Sequence, residues 1–179
     1  MSLERDKQNF ERLLRPHLPK LYRLSCRLTA SKIDADDLFQ DVLARLFPRM
    51  QELGNQQHVA TWLAGEMYNR FIDDQHRFSR QRSLAAEERS PHGNRVDSLS
   101  STGDNLHDVV WREQMQTLGR ALDMLNEAQR VTLLLHDAEA YKLTEIQRIT
   151  GDSLVTIKSR LRQARARLRE ILPDDGTFL

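Results

Sequence analysis

The chain has 179 residues, of which 39% are hydrophobic and 30% are charged, and this suits one or two small water-soluble domains. Only 7 Gly and 5 Pro are present, which disfavours a turn-rich β-sandwich or barrel, and no run of about 18 apolar residues exists, which excludes a membrane span. The net charge is +1, and the single cysteine, Cys26, excludes an internal disulfide and a cysteine-based zinc site.

The first predicted domain covers residues 1–78 and is helical. Large apolar side chains recur at three- and four-residue steps between residues 10 and 28, which is the period of a helix. Pro16 and Pro19 should divide this stretch into two helices or bend it, because proline removes a backbone donor and clashes with the preceding turn. Cys26 lies beside the apolar stripe, so we expect it to be a small core residue.

The next helix of this domain is expected to begin at a cap formed by Ser31 or Asp34 and to end at Pro48. The stretch 51–58 is polar and contains one glycine, so it predicts a loop. From Val59 the helical period of apolar residues resumes and continues to the end of the domain. The first domain is therefore predicted to be a small helical bundle.

Residues 79–108 differ in composition from the rest of the chain. Of these 30 residues, 15 are Ser, Thr, Asn, Asp, Gly or Pro, and few are large aliphatic residues. Such a segment buries too little apolar area to offset the entropy of ordering it. The sequence therefore predicts a flexible linker between two domains.

The second predicted domain, residues 109–179, contains four helices with clear end signals. Asn126 and Gln129 have the spacing of a reciprocal capping box. Thr144–Gln147 has the same spacing and is expected to open a short helix. The turn that follows contains a glycine, and a longer helix begins after it. This order is the helix-turn-helix pattern, in which the second helix lies in the DNA major groove.

Helix ends and charge both point to the last helix of this domain. Gly151 suits a left-handed position after the short helix, and Asp152 or Ser153 is expected to cap the long one. The segment Leu154–Glu170 holds six Lys and Arg residues and one Glu, so a basic helix lies in an otherwise acidic protein. Lysine and arginine suit guanine edges and phosphates, glutamine suits adenine, and serine is permissive. Five residues fall on or beside the open face of this helix: Lys158, Ser159, Arg162, Gln163 and Arg165.

Three segments resemble the extracytoplasmic-function (ECF) sigma factors of bacterial RNA polymerase, which belong to the sigma-70 family. They are DADDLFQDVLARLF and TWLAGEMYNRFIDDQHR in the first domain and LTEIQRITGDSLVTIKSRLRQARARLRE in the second. The resemblance covers nearly the whole chain in the family's order. Ala140 and Val155 stand where the family often has glycine, while Gly65, Tyr68 and His76 replace residues that are often basic or aromatic.

The resemblance implies an all-α fold of two small helical domains joined by the linker. It also implies a function: the chain would direct promoter-specific initiation by binding core polymerase and two promoter elements. The first domain would dock on the clamp helices of the largest polymerase subunit through Asp37, Leu38, Gln40 and Asp41. It would bind the minus-10 element through Asn55, Gln56, His58, Asn69, Arg70 and Arg77.

The second domain, by the same resemblance, would bind the flap of the second-largest subunit and the minus-35 element. We expect Lys158, Ser159, Arg162 and Gln163 to read bases, and Arg160, Arg165 and Arg167 to grip phosphates. The resemblance further implies control by an anti-sigma factor that responds to a stress or envelope signal.

Two other functions remain as alternatives: a stand-alone DNA-binding regulator and a pure interaction protein. A stand-alone helix-turn-helix regulator would need a dimerisation or ligand domain and symmetric half-sites. A pure interaction protein would have lost promoter melting.

The acidic cluster around Asp37 has no accompanying phosphate loop, so we expect no enzyme activity, metal or cofactor. The charged start of the chain is unlike a secretory signal and the lone cysteine suits a reducing compartment, so we expect a cytoplasmic protein without membrane insertion.

Overall fold

The computed structural model describes residue 8 and residues 10–29, 31–84 and 117–172. It divides into two compact units, of which the first includes the described helices up to Leu84 together with residues 148–151, and the second includes the rest. All regular secondary structure in the described ranges is helical, as predicted. Within the same ranges, no helix is both long enough and apolar enough to cross a membrane.

Up to Leu84, the described residues of the first unit form five α-helices and a short 3₁₀ turn. Helix α1 is described over residues 10–14. Helix α2 has Pro19 in its first turn, where the N–H that proline lacks would have no partner within the helix. The predicted division at the prolines is therefore confirmed. Ser31, and not Asp34, caps α3, because its Oγ accepts the backbone N–H of Asp34 at 3.1 Å. The remaining elements are α2 (Leu18–Leu28), α3 (Lys32–Leu46), the 3₁₀ turn (Phe47–Arg49), α4 (Met50–Gly54) and α5 (Val59–Leu84).

The core of the first unit forms where α2, α3 and α5 pack against one another. Burial of apolar side chains in this contact holds the three helices together. The core side chains include Leu21, Leu24, Leu28, Leu38, Val42, Leu46, Leu63, Met67 and Phe71. Cys26 is exposed on α2, so the expectation of a core position is wrong. It lies one step outside the apolar stripe.

Two boundaries in the first unit differ from the sequence prediction. The stretch 51–58 was expected to be a loop, but α4 occupies its first four residues. Leu53 is 1% exposed and anchors this short helix in the core, and Arg49 pairs with Glu52 at 2.7 Å. Helix α5 also continues to Leu84, six residues beyond the predicted end of the domain, while residues 85–108 of the predicted linker lie outside the described part of the chain.

The second unit contains the helix-turn-helix, apart from residues 148–151 at the end of α8 and in the turn. Its first described helix, α6, covers residues 117–123. The predicted capping box is confirmed, since Asn126 Oδ1 accepts the N–H of Gln129 at 2.9 Å and the Gln129 side chain accepts the N–H of Asn126. Helix α7 packs against α9. The elements are α7 (Glu127–Leu133), a π-helical segment (Leu134–Ala138), α8 (Leu143–Thr150) and α9 (Leu154–Ile171).

The ends of α8 and α9 show which local signals operate. Gly151 has φ +76°, the left-handed conformation predicted for it, and Ser153 caps α9 by accepting the N–H of Thr156 at 3.1 Å. The predicted box at Thr144–Gln147 is wrong by two residues. Helix α8 begins at Leu143, because the Glu145 carboxylate reaches back and accepts the N–H of Lys142 at 2.8 Å.

Candidate functional site

Helix α9 has one buried and one open face. Ile157, Leu161 and Ala164 are buried, and α7 packs against this helix. Lys158 and Arg162 are exposed on the other side, four residues apart and so on one face of the helix. The buried stripe therefore fixes the direction in which the two cations point, and it leaves them free to approach a major groove.

Three of the remaining basic residues of α9 are paired within the second unit. Arg165 donates from Nη2 and Nε to the two carboxylate oxygens of Asp137, at 2.6 and 3.1 Å. Arg167 donates to Glu170 at 2.8 Å, and Arg160 forms an ion pair with Asp152. Lys158 and Arg162, by contrast, form no ion pair with any carboxylate in the described ranges.

Asp137 is a functional candidate that the sequence analysis missed. It lies in the π-helical segment, next to His136, whose Nδ1 is in hydrogen-bond contact with its carboxylate. Partial burial alone would raise the pKa of Asp137, but hydrogen bonds from Arg165 and His136 outweigh it and hold this pKa below its usual value. The carboxylate is therefore charged at neutral pH and offsets the charge of Arg165. The two residues are 28 positions apart, so no local pattern signals the pair.

The polar residues of the predicted reading face are placed differently from one another. Ser159 is half-buried beside the two free cations. Gln163 is exposed, and its Oε1 accepts a hydrogen bond from Gln129 Nε2 at 3.1 Å. This contact tethers the amide to the start of α7 while leaving its own NH₂ group open to a base.

The predicted docking residues on α3 divide into exposed and buried ones. Asp37 and Gln40 are exposed, and 52% of the Asp41 side-chain surface is accessible. Leu38 is only 5% exposed and belongs to the core between the helices. The surface that α3 offers to a partner therefore consists of two carboxylates and one amide, and Leu38 supports it from beneath.

Arg70 is buried, at 9% exposure, although the sequence analysis placed it among the DNA-binding residues. Its Nη2 donates to Asp41 Oδ2 at 2.6 Å, and its Nη1 pairs with Asp74 one turn further along α5. Burial alone would lower the pKa of Arg70, but the two carboxylates raise it above its usual value. Arg70 therefore bridges α5 to α3 and fixes the position of Asp41.

Most of the other residues predicted to bind the minus-10 element lie together. Asn55, Gln56 and His58, in the turn after α4, share one surface with Trp62 and Asn69 of α5. Asn55, His58 and Asn69 are exposed, and Gln56 is half-buried. These side chains present amide and imidazole groups next to an aromatic ring, and aromatic rings are the groups on which the bases of single-stranded nucleic acid stack.

A cation lies over the aromatic ring on this surface. The Arg49 guanidinium carbon is 5.2 Å from the ring centroid of Trp62. Arg49 also pairs with Glu52 and Glu66, both at 2.7 Å, and these hydrogen bonds raise its pKa. Arg77 is exposed two turns beyond Asn69 on α5. No sequence motif around Arg49 predicts that it lies over Trp62, so only the fold shows this contact.

Family models match two parts of the chain in order. The model described as Sigma-70 region 2 matches residues 13–83, and the one described as Sigma-70, region 4 matches residues 115–168. The first match contains α3 and nearly all of α5, with the acidic and polar surfaces described above. The second contains α8 and most of α9.

Curated relatives and a solved structure agree with these matches. The ECF RNA polymerase sigma factor SigE of Mycolicibacterium smegmatis is 30% identical over 92% of this chain, which spans 62% of that relative's length. The ECF RNA polymerase sigma factor EcfG of Rhodopseudomonas palustris is 28% identical over 89% of this chain and 82% of its own length. The sigma factor RpoE of Bartonella quintana, solved in complex with the anti-sigma factor NepR, aligns with a TM-score of 0.74 and 26% identity over 94% of this chain and 99% of that chain.

Proposed function

Because the chain belongs to the ECF group of sigma-70 factors, we propose that it directs bacterial RNA polymerase to a set of promoters by reading their minus-35 and minus-10 elements. The observation that supports the proposal is that one chain has two separate surfaces suited to binding. One is the acidic surface on α3, and the other is the face of α9 that carries the unpaired cations Lys158 and Arg162. A protein that only bound duplex DNA would need the second surface alone.

We propose that three parts of the chain have different roles. Residues 1–78 dock on polymerase and bind the minus-10 element, residues 79–108 connect the two parts, and residues 109–179 bind the minus-35 element. The family matches to residues 13–83 and 115–168 support this division.

The minus-35 element is read by the open face of α9. Lys158 and Arg162 donate to guanine edges. Gln163 donates to adenine N7 through its free NH₂ group and accepts from adenine N6 through the second lone pair of Oε1. Ser159 accepts from or donates to either base. Each paired arginine of this helix still has N–H donors that its carboxylate does not use, because a guanidinium carries five. These donors contact the phosphates at the edges of the site. The arginines in question are Arg160, Arg165 and Arg167.

The melted minus-10 strand is held by the surface around Trp62. Asn55, Gln56 and His58 supply hydrogen bonds to an unstacked base, and Asn69 and Arg77 contact the strand along α5. Arg70 takes no direct part, because it is buried beneath two carboxylates. Its role in this proposal is to hold Asp41 in place for docking.

Docking on core polymerase uses Asp37, Gln40 and Asp41, which meet the clamp helices of the largest subunit. A polar and acidic surface of this kind suits the rim of a helix–helix interface. The second unit meets the flap of the second-largest subunit. The chain contributes binding and positioning, with the chemistry of RNA synthesis left to the polymerase, and it acts in the cytoplasm, where polymerase and chromosome are.

We further propose that an anti-sigma factor controls the chain. The support is the likeness to the sigma factor RpoE, which was solved in complex with the anti-sigma factor NepR. Such a partner would cover the docking surface on α3 and so block assembly with polymerase.

Run-off transcription tests the proposed function. Purified core polymerase is supplied with genomic promoter fragments, with and without the chain. We expect defined transcripts only when the chain is present, and start sites that share two upstream elements. Binding of the chain to duplex DNA without any polymerase-dependent transcript would instead identify a stand-alone regulator.

A further inference from the structure

The first turn of α9 exposes an apolar side chain. Val155 is 78% accessible, the highest value among the large hydrophobic residues in the described ranges. It is the second residue of the helix after the Ser153 cap. Isolated apolar residues are common on protein surfaces, so the exposure alone decides nothing. What matters is the face on which the side chain lies.

Val155 lies on the same face as the proposed reading residues. Lys158, Ser159 and Arg162 follow it at three, four and seven residues, which places all four side chains in one row along the helix. Ile157 and Leu161 are buried on the opposite side. Since the N-terminal residues of the second helix of a helix-turn-helix meet base edges, Val155 enters the major groove ahead of the cations.

The edges of bases in the major groove offer a valine only one complementary group. Guanine, cytosine and adenine present donors and acceptors there, whereas thymine also presents its 5-methyl group. Valine has no donor or acceptor, and its rotamer in a helix is nearly fixed, so its two methyl groups are held ready for contact. A thymine methyl is therefore the group that Val155 is suited to meet.

We propose that Val155 is a specificity-determining residue that selects thymine at one position of the minus-35 element through contact with the thymine 5-methyl group. This inference rests on the proposed function and deepens it. It adds an apolar contact to a face whose other members act through hydrogen bonds and charge. The neighbouring base pairs are the ones that Lys158 and Ser159 read.

Replacement of thymidine by deoxyuridine tests the contact, because thymine and uracil differ only in the methyl group. The full chain is assembled with core polymerase, and the affinity for a promoter from the run-off assay is measured by anisotropy at fixed salt. Each thymine of the upstream element, on either strand, is replaced in turn. We expect one replacement to weaken binding about fourfold, which corresponds to about 0.8 kcal/mol for one buried methyl group.

Variants assign that loss to the side chain. In Val155→Ala the ratio of affinities for thymine and deoxyuridine should fall to about one, and in Val155→Thr, which keeps the shape and one methyl group, it should fall about halfway. Met124→Ala removes another exposed apolar side chain of the same unit and should keep the full ratio. Circular dichroism verifies that the variants remain helical.

The outcomes separate this proposal from the one on which it rests. If core polymerase and the chain together bind no promoter, the proposed function fails and the contact falls with it. If the promoter is bound but no deoxyuridine weakens binding, or the loss persists unchanged in Val155→Ala, the assignment of Val155 is overturned and the proposed function stands.

Discussion

Asp137→Asn is expected to tighten binding of the chain to duplex DNA of any sequence. Asp137 accepts two hydrogen bonds from Arg165 and so neutralises a cation on the helix that we propose to face DNA. A DNA phosphate must compete with this carboxylate for the guanidinium. Asparagine has nearly the same shape as aspartate but no charge, so the substitution removes the competitor and leaves the fold in place.

The magnitude follows from the exposure of the pair. The two side chains retain 43% and 39% of their accessible surface, and an exposed ion pair of this kind is worth at most about 1 kcal/mol. Removing the competitor should therefore raise the affinity about two- to fivefold, since about 1.4 kcal/mol corresponds to a factor of ten. Without the competing charge of Asp137, the phosphate contact of Arg165 should also steepen the slope of log K against log salt, by at most about 0.9.

Fluorescence anisotropy over a salt series, with promoter and scrambled duplexes, measures both quantities. The gain should vanish when Asp137→Asn is made in an Arg165→Ala background, because no guanidinium is then released. Glu127→Gln is the matched control, since it removes the same charge from α7 at a residue that forms no ion pair with α9 in the described ranges. Equal tightening by Glu127→Gln, or in the Arg165→Ala background, would refute the reasoning and show that net charge alone is responsible.

Three further substitutions separate reading, docking and backbone strain. Arg162→Ala should cost about 1–3 kcal/mol on a promoter duplex and much less on a scrambled one, and equal losses on both would contradict its role as a reader. Asp37→Ala should weaken the recovery of core polymerase in pull-down while duplex binding by the free chain stays unchanged, and undiminished recovery would count against docking through α3. Ala140→Gly should raise the free energy of unfolding in urea by up to about 1 kcal/mol, because Ala140 has φ +57°. Ala128→Gly, inside α7, should lower it by about 1 kcal/mol, and destabilisation by both would exclude strain at Ala140.

The helix ends that the sequence predicted correctly are those governed by residues within four positions of each other. Ser153 lies three residues from the N–H that it caps, and Asn126 and Gln129 have the same separation. Gly151 needs no partner at all, since its conformation follows from the absence of a side chain. The start of α8 is governed just as locally, since Glu145 accepts the N–H of Lys142 three residues earlier. The lysine side chain has no oxygen acceptor, however, so the sequence pattern pointed to Thr144 instead.

The site residues were harder to predict because their partners come from distant parts of the chain. Arg70 stands beside Asn69 in the sequence and was interpreted as a donor to DNA, yet Asp41, 29 residues earlier, holds it in the core. The four-residue spacing to Asp74 was a local signal of pairing that could have been used. Leu53 is the one leucine in a polar stretch, and its burial anchors α4, a helix that the composition of this stretch did not indicate.

Pairing within the second unit changes what the basic helix can do by itself. Counted along the sequence, α9 is a strong phosphate-binding segment, but carboxylates from the same unit offset Arg160, Arg165 and Arg167. Non-specific affinity depends on the number of phosphates that cations neutralise, so this pairing lowers it while Lys158 and Arg162 remain free to read bases. Useful affinity must then come from joining the weak contact of α9 to a second one in the same complex, because linked sites raise each other's effective concentration. We therefore expect the chain to bind bulk DNA weakly by itself and to bind promoters tightly when polymerase brings both of its units to the same DNA.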